Sequence, residues 1–404
     1  MPQTILFILP VAFVQKPDEP GFQVQTQNFR TTFGFVLPRL KQRNTNVELV
    51  SLNNTGNQLV NGKAYVRETG LNELCNIRFL ERKMGRGKLF PQFAQFFLNL
   101  RYLIKLFRKS KPSVVYGYND VGTLYGVFLK WLFGCRLIYD MRGDRVNEMA
   151  VQGAPAWRVW FYRRVRNVCL KTADLVFTVS DTCPDLPKGT RHLPKYNFFD
   201  ARKFFYDSEM EDEVREELGI GERFVFVYSG TDKYYQMVPE MVRFFADFRK
   251  FCPDAWFMIN TPVPSQKFAD ELEKNNVPPS AYGMFQLNQE MLNRYQMIGD
   301  MAFLIREDLP LNHDAFPTKF SEYLGSGVPV LITAHVHTLL SMVKDNGLGE
   351  IWHPGESVES VQERIVKYRN NKELKKRCAA FAFEYLSWQK KADWLVDNLH
   401  NPDL

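Results

Sequence analysis

Several signatures that would settle the chemistry at once are missing from this 404-residue sequence. No GxGxxG follows the first apolar run, which speaks against a nicotinamide-dependent enzyme, and no GxxxxGK[ST] occurs, which disfavours P-loop chemistry. Cysteine is scarce: Cys75, Cys135, Cys169, Cys183, Cys252 and Cys378 stand far apart, with no CxxC and no His-rich spacing. That argues against a zinc site or redox pair, and for a reducing compartment over a disulfide framework. Long apolar runs are absent too. Thr4–Leu9 is short, follows no basic residue and stops at Pro10, so it reads as a buried first strand and not a secretory leader. The longest apolar region, Val121–Tyr139, is broken by Lys130 and Arg136 and offers no clean membrane span.

What is present is a chain that is 45% hydrophobic and 24% charged, an ordinary globular composition. Its length exceeds the roughly 250–300 residues at which one core stops growing, so two domains are expected. The net charge of +7 is unevenly spread, +15 over residues 1–200 and −8 over 201–404. Such a split suggests that one half faces an anionic partner.

Short apolar runs alternate with longer amphipathic stretches, the pattern of βαβ units and parallel sheets. Strands are expected at 4–9, 47–52, 113–117, 136–140 and 175–179, then at 224–229, 255–260, 301–305 and 329–333. Helices are expected near 25–42, 92–109, 120–133 and 155–172, then 236–251, 265–275, 288–298, 317–326 and 357–370. The fold class is therefore α/β, with two doubly wound Rossmann-like domains facing a central cleft. Residues 1–200 form the first domain, 201–375 the second, and 376–404 a C-terminal helix returning toward the first. The Pro- and Gly-bearing stretch 181–205 is the expected linker.

The most informative segment runs from Leu304 to Ile332. A strand ends near Arg306, a polar loop containing Asn312 and Asp314 follows, and a helix starts at Pro317. Lys319 then lies in the first helical turn, beside free N–H groups and the positive end of the dipole, a setting suited to a diphosphate. One turn on, the two oxygens of Glu322 can accept hydrogen bonds from a vicinal diol such as a ribose. Taken alone, Lys319 and Glu322 could also be an i,i+3 surface ion pair.

This segment resembles the retaining GT-B glycosyltransferases, in particular glycosyltransferase family four. Asp314, Pro317, Lys319, Glu322, Gly327, Pro329 and Val330 match its pattern position by position. Asn197-Phe-Phe-Asp200 followed by Phe204, Phe177-Thr-Val-Ser180 and Tyr228-Ser-Gly230 are similar to further segments of that family in the same order. The resemblance covers roughly 135–335. It implies that Lys319 binds donor phosphate, Glu322 the ribose and Asp314 the transferred sugar. Gly230 and Thr231 would let the backbone approach the diphosphate, with Arg306, Asn312 and Lys233 completing the donor site and the backbone near Phe285 and Leu287 meeting the base.

The chain departs from the family in carrying Asp at 314, where Glu is usual, and Thr231-Asp232-Lys233 after the glycine. In the first domain, Tyr139-Asp-Met-Arg-Gly-Asp144 replaces a His-containing strand end. Arg142 is the candidate contact for phosphate or leaving group, and Asp140 or Asp144 the candidate for orienting the acceptor hydroxyl. A departing nucleotide diphosphate needs fixed positive partners, which Lys319, the helix terminus, Arg306 and Lys233 could supply. No metal or other cofactor is expected, since no DxD-type motif lies in a suitable loop. Among His192, His313, His335, His337 and His353 the one ligand-like spacing is His335-x-His337, on one face of an extended segment, and it reads as coincidence.

Residues 78–111 carry ten Lys or Arg against Glu81 alone, interleaved with aromatic and apolar residues. Phe93, Phe96, Phe97, Leu100, Leu103 and Phe107 recur at helical spacing, so this stripe is expected to pack on the first sheet. The alternative is a basic-aromatic surface that meets anionic lipid, with Gly85–Lys88 outermost and Arg158, Arg163, Arg164 and Arg166 enlarging it. The expected activity is sugar transfer with retention from a nucleotide sugar to a lipid-linked glycan or polysaccharide, in the cytoplasm or on the inner membrane face. An anionic membrane is a further partner and nucleic acid is not, for no recognition motif appears. A sugar-nucleotide epimerase of the same fold, or a non-catalytic sugar-nucleotide-binding subunit, are the alternatives.

Overall fold

The computed structural model describes residues 2–10, 24–83, 89–181, 186–353 and 355–401. The chain divides into two compact units, one of residues 1–195 with 391–404 and the other of residues 196–390. The sequence placed these divisions at 200/201 and 375/376.

The first unit holds a seven-stranded parallel sheet. Its strands are β1 (Thr4–Leu9), β2 (Asn46–Asn54), β3 (Asn76–Glu81), β4 (Val114–Tyr118), β5 (Arg136–Asp140), β6 (Leu175–Thr178) and β7 (His192–Pro194), in the order β3-β2-β1-β4-β5-β6-β7. The second holds a six-stranded parallel sheet of β8 (Val225–Ser229), β9 (Trp256–Asn260), β10 (Tyr282–Phe285), β11 (Met301–Leu304), β12 (Val330–Thr333) and β13 (Gly349–Trp352), ordered β10-β9-β8-β11-β12-β13. Helices connect successive strands, with none described between β6 and β7, and the strand order reverses at β1/β4 and at β8/β11. Ligands bind beyond the carboxyl ends of strands at such reversals.

The interior strands β1, β4, β5, β8, β9, β11 and β12 are buried almost throughout, as a parallel sheet covered on both faces requires. A buried ionic network ties the second unit together. Arg215 bridges Glu211 and Asp300 at 3.2 Å each, Lys375 pairs with Glu211, and Asp300 accepts from the Val225 N–H at 2.7 Å. Residues 391–401 join the first unit through Arg39–Asp393 at 3.0 Å, Arg136 to the Leu399 carbonyl at 3.3 Å, and Trp394 against Phe177 at 5.7 Å.

Three expectations change. The stretch 181–205 is not merely a linker, because it contains β7, paired with β6, and the buried Lys195, while Thr182–Asp185 lie outside the described residues. The stripe on Leu89–Ser110 is buried only toward its C-terminal end: Leu100, Leu103 and Phe107 pack in the core, whereas Phe93 and Phe97 are exposed. Gly85–Lys88 also lie outside the described residues. Among the described residues no helix is long and apolar enough to cross a membrane, and the five described cysteines are free and buried.

Candidate functional site

In the second unit, the predicted donor residues come from three chain segments that end at the β8/β11 reversal. β8 leads into Ser229 and Gly230, β11 into Arg306, and the helix Thr318–Gly325 begins one residue before Lys319. Pro317 occupies the cap position with extended backbone, just ahead of that helix. The helix start is pinned by Asn197, whose amide donates to the Phe316 carbonyl while its own carbonyl accepts from Ser321 Oγ at 2.8 Å. Asp200 accepts from Gln389 at 2.9 Å and from Arg202. The Asn197/Asp200 segment is therefore a fastening for the site and not a contact surface.

Lys319 crosses the face of Tyr228, its Nζ 4.1 Å from the ring centroid, and donates to Gln236 Oε1 at 3.3 Å. It also closes over Gly230: a Cβ built on that glycine would fall 2.2 Å from Nζ. Gly230 has φ +151°, a conformation that side-chain-bearing residues rarely adopt, so both its backbone and the lysine exclude any other residue there. Arg306 is 7% exposed, and its Nε and Nη1 are buried with no hydrogen-bond partner. Its guanidinium stacks over Tyr235 at 5.2 Å, with no carboxylate paired to it. Ser229 Oγ, next to Gly230, is likewise buried without a partner. A buried guanidinium lacking acceptors is costly unless an anion arrives to complete it.

The electrostatics follow from this crowding. Burial, then the Arg306 charge, holds the Lys319 ammonium well below the usual lysine range, with Glu322 pulling the other way. Burial pushes the Glu322 carboxyl up to about 7, against the charges of Lys319 and Lys203. Burial also lowers Arg306 and raises Tyr228. Burial thus works against the charged forms of Lys319, Arg306 and Glu322 alike.

Other predicted donor residues sit around this centre with different standing. Thr231 lends its carbonyl to Tyr228 OH, and Lys233 is exposed, 6.0 Å from the Tyr235 ring. The Phe285 carbonyl accepts from the Thr261 N–H at 3.1 Å and the Leu287 N–H donates to Asn260 at 2.8 Å, so these two groups hold the strand ends together. Asn312 is buried and its amide donates to the Glu307 carbonyl at 2.8 Å, which shapes the loop without presenting the side chain. Asp314 caps the short helix Pro310–His313. Beside it, Asp308 accepts from His313 at 2.6 Å, approaches His335 at 3.5 Å, and the His313 and His337 rings stack at 4.6 Å. The sequence did not anticipate that meeting of three histidines; yet among the described residues no group of His, Cys, Asp and Glu is arranged to hold a metal.

In the first unit, Asp140 ends β5 and is 1% exposed. It accepts from Lys195 Nζ at 2.7 Å and from Tyr116 OH at 2.5 Å, with Arg142 4.0 Å away. Burial raises its pKa, but Lys195 and Arg142 outweigh that and bring it below the usual carboxylate value. Burial moves Lys195 down to about 8. A small pocket lined by Tyr116, Tyr118, Asp140, Arg142 and Lys195 opens beneath Phe33 and Leu395. Asp140 and Arg142 thus lie together, while Lys195 was missed: it follows a three-residue strand with no local pattern to mark it. Asp144 is elsewhere engaged. It caps the helix Arg145–Val151 through the Asn147 N–H and pairs with buried Arg166 at 2.6 Å. Arg166 is therefore buried and not part of the exposed basic surface, and Asp144 is held in this pair.

Comparison with known proteins agrees with the architecture. Residues 210–385 match the family glycosyl transferases group 1. No curated protein matches the sequence. Similar solved structures include sucrose-phosphate synthase from Thermosynechococcus elongatus, at 12% identity and TM-score 0.69 over 99% of this chain and 98% of that one. A glycosyltransferase from Rickettsia africae is similar at 12% identity and TM-score 0.68, over 99% of each chain. Anabaena HepE, solved in complex with UDP and glucose, is similar at 13% identity and TM-score 0.65, over 98% of this chain and 99% of that one. The fold is that of the GT-B class. The match to glycosyl transferases group 1 lies within the second unit, and glycosyl transfer is the activity that this match supports.

Proposed function

We propose that the chain transfers a glycosyl unit from a nucleotide-diphosphate sugar, with retention of configuration, to a lipid-linked glycan or polysaccharide precursor in cell-surface glycan synthesis. The observation that carries this reading is the buried, unpartnered Arg306 guanidinium beside Lys319 and Gly230. A diphosphate at this point would give Arg306 its missing acceptors and Lys319 a charged one, and the charge growing on the leaving group would be stabilised by donors already in place. The Glu322 carboxyl lies one helical turn beyond Lys319, where a ribose diol would follow. Asp314 is assigned to the transferred sugar. In the first unit, Arg142 and the Asp140–Lys195 pair face the acceptor, and the +15 charge of residues 1–200 suits an anionic, membrane-borne acceptor. No step requires a metal, because the charge neutralisation is assigned to side chains.

A thermal-shift screen with UDP-, GDP-, ADP- and dTDP-sugars tests the donor site, since a ligand that binds the folded state raises its stability. One of these should raise Tm in the parent chain, and Lys319→Ala or Glu322→Ala should remove the shift without unfolding the protein. Normal sugar transfer by either variant would refute the site assignment. Conversion of the donor to a different sugar without acceptor would favour an epimerase; donor binding with no transfer to any glycolipid would favour the non-catalytic subunit.

A further inference from the structure

Three helices of the first unit, Leu89–Ser110, Asn119–Phe133 and Ala156–Thr172, pack beside one another and leave large aromatic side chains in solvent. Trp131 is 63% exposed, Phe97 61%, Trp160 59% and Trp157 53%. Ring contacts join parts of the surface across the helices. Phe93 meets Phe161 at 6.4 Å across the first and third helices, and Phe97, Phe96, Phe128 and Trp131 form a chain at 5.7, 5.6 and 5.6 Å across the first and second. Exposed aromatic area of this extent on a soluble fold marks a place where something else docks.

The exposed charges on the three helices are of one sign; just beyond the third, Asp174 pairs with Lys130 at 2.6 Å. Arg101, Lys105 and Arg108 on the first helix and Arg158, Arg163 and Arg164 on the third are exposed, and Arg164 stacks over Trp160 at 5.3 Å. The three helices contain a single acid, Asp120, which is buried and accepts from Tyr139 OH. No carboxylate on these helices therefore reaches the surface. Tryptophan at an apolar–polar boundary, flanked by arginines with no acidic counterpart, is the chemistry of an interface between acyl chains and anionic headgroups.

We propose that this face docks the first unit onto an anionic lipid bilayer, with Trp131, Trp157 and Trp160 entering the headgroup–acyl boundary and the flanking arginines pairing with lipid phosphates. The inference rests on the reading that the acceptor is lipid-borne, but it specifies the surface and separates insertion from electrostatic attraction alone.

Co-sedimentation of the full chain with vesicles tests it without donor or acceptor. Binding is expected to vesicles of phosphatidylcholine mixed with phosphatidylglycerol and not to phosphatidylcholine alone, weakening steeply with salt. The pair Trp157→Ser and Trp160→Ser should lower partitioning about tenfold or more, while the salt dependence persists. Arg158→Glu with Arg163→Glu should remove the preference for anionic vesicles. Because these side chains are exposed, far-ultraviolet circular dichroism and the nucleotide-sugar thermal shift should be unchanged in all variants. Absent binding, undiminished binding by the tryptophan variants, concentration-dependent dimerisation through this face, or preferred binding of RNA would each overturn the proposal. Sugar transfer to a soluble acceptor without vesicle binding would sink docking alone; vesicle binding with no transfer to any lipid would sink the acceptor reading alone.

Discussion

Arg306 is the residue in which folding and function pull hardest against each other. Its guanidinium is buried among aromatic rings with two nitrogens unpartnered, so the ligand-free fold carries a desolvation cost. Replacing such an ion with an apolar side chain of similar volume commonly stabilises a protein by about 1–4 kcal/mol. Arg306→Met should therefore raise the Tm of the ligand-free chain while abolishing the nucleotide-sugar shift; a lowered Tm would mean that the arginine is a structural support.

A second outcome concerns protons. Burial and Arg306 hold Lys319 well below its usual range, and a diphosphate beside it would favour the ammonium form. Above its depressed pKa, nucleotide binding should take up a proton, and affinity should fall as pH rises. Calorimetric titrations with UDP in two buffers of different ionisation enthalpy will read the sign, and proton release would contradict the assignment. Glu322 gives a separate stability signature. With its folded pKa raised to about 7, the folded chain binds more protons than the unfolded one between the ordinary carboxyl value and about 7, so its contribution to stability declines as pH rises through that window.

Residue identity was most legible where a motif and its chemistry coincide. Lys319, Arg306 and Gly230 could be named from sequence because strand-end and helix-start positions in a doubly wound sheet converge. Lys195 could not, because its importance comes from Asp140, a partner 55 positions away. Asp144 looked available in sequence because nothing local indicates that Arg166, on another helix, is its partner.

At the level of elements, legibility followed burial. The strands missed from sequence, β3, β7, β10 and β13, are the four sheet edges. Edge strands are covered less completely, so they tolerate polar residues such as Arg78 and Glu350 and show no continuous apolar run. Interior strands must be apolar on both faces and were located to within a residue or two. The helices Gly56–Glu68 and Ser208–Glu217 were also missed, their weak apolar periodicity being supplemented by caps: Gln58 closes a capping box on Thr55, and Asp207 accepts two N–H groups. The cap at Asp144 supplies a test. Asp144→Ala removes an N-cap and leaves Arg166 buried without its carboxylate, so a loss of about 3–5 kcal/mol is expected by chemical denaturation. A change within about 0.5 kcal/mol would show that neither contact matters.

For the molecule as a whole, the two-domain expectation from length has a physical counterpart in two separate sheets with separate cores. The last residues are the exception to a simple partition, since 391–401 complete the first unit. Ending the chain after Lys390 removes the Asp393 and Asp397 partners of Arg39 and Arg43 and uncovers Phe177. The truncated protein should unfold with the transition of the first unit lowered and that of the second little changed; equal lowering of both would refute this.

That closure also sets an order of events during synthesis. The ribosome delivers residues 1–195 before the second unit, yet residues 391–404, which finish their fold, emerge only after it. The second unit, contiguous from 196 to 390, is complete before the first can be. Nascent chains carrying residues 1–390 followed by an unstructured linker long enough to clear the ribosome should therefore resist protease across the later half while the earlier half stays cleavable, inverting the usual N-terminal-first sequence of domain folding.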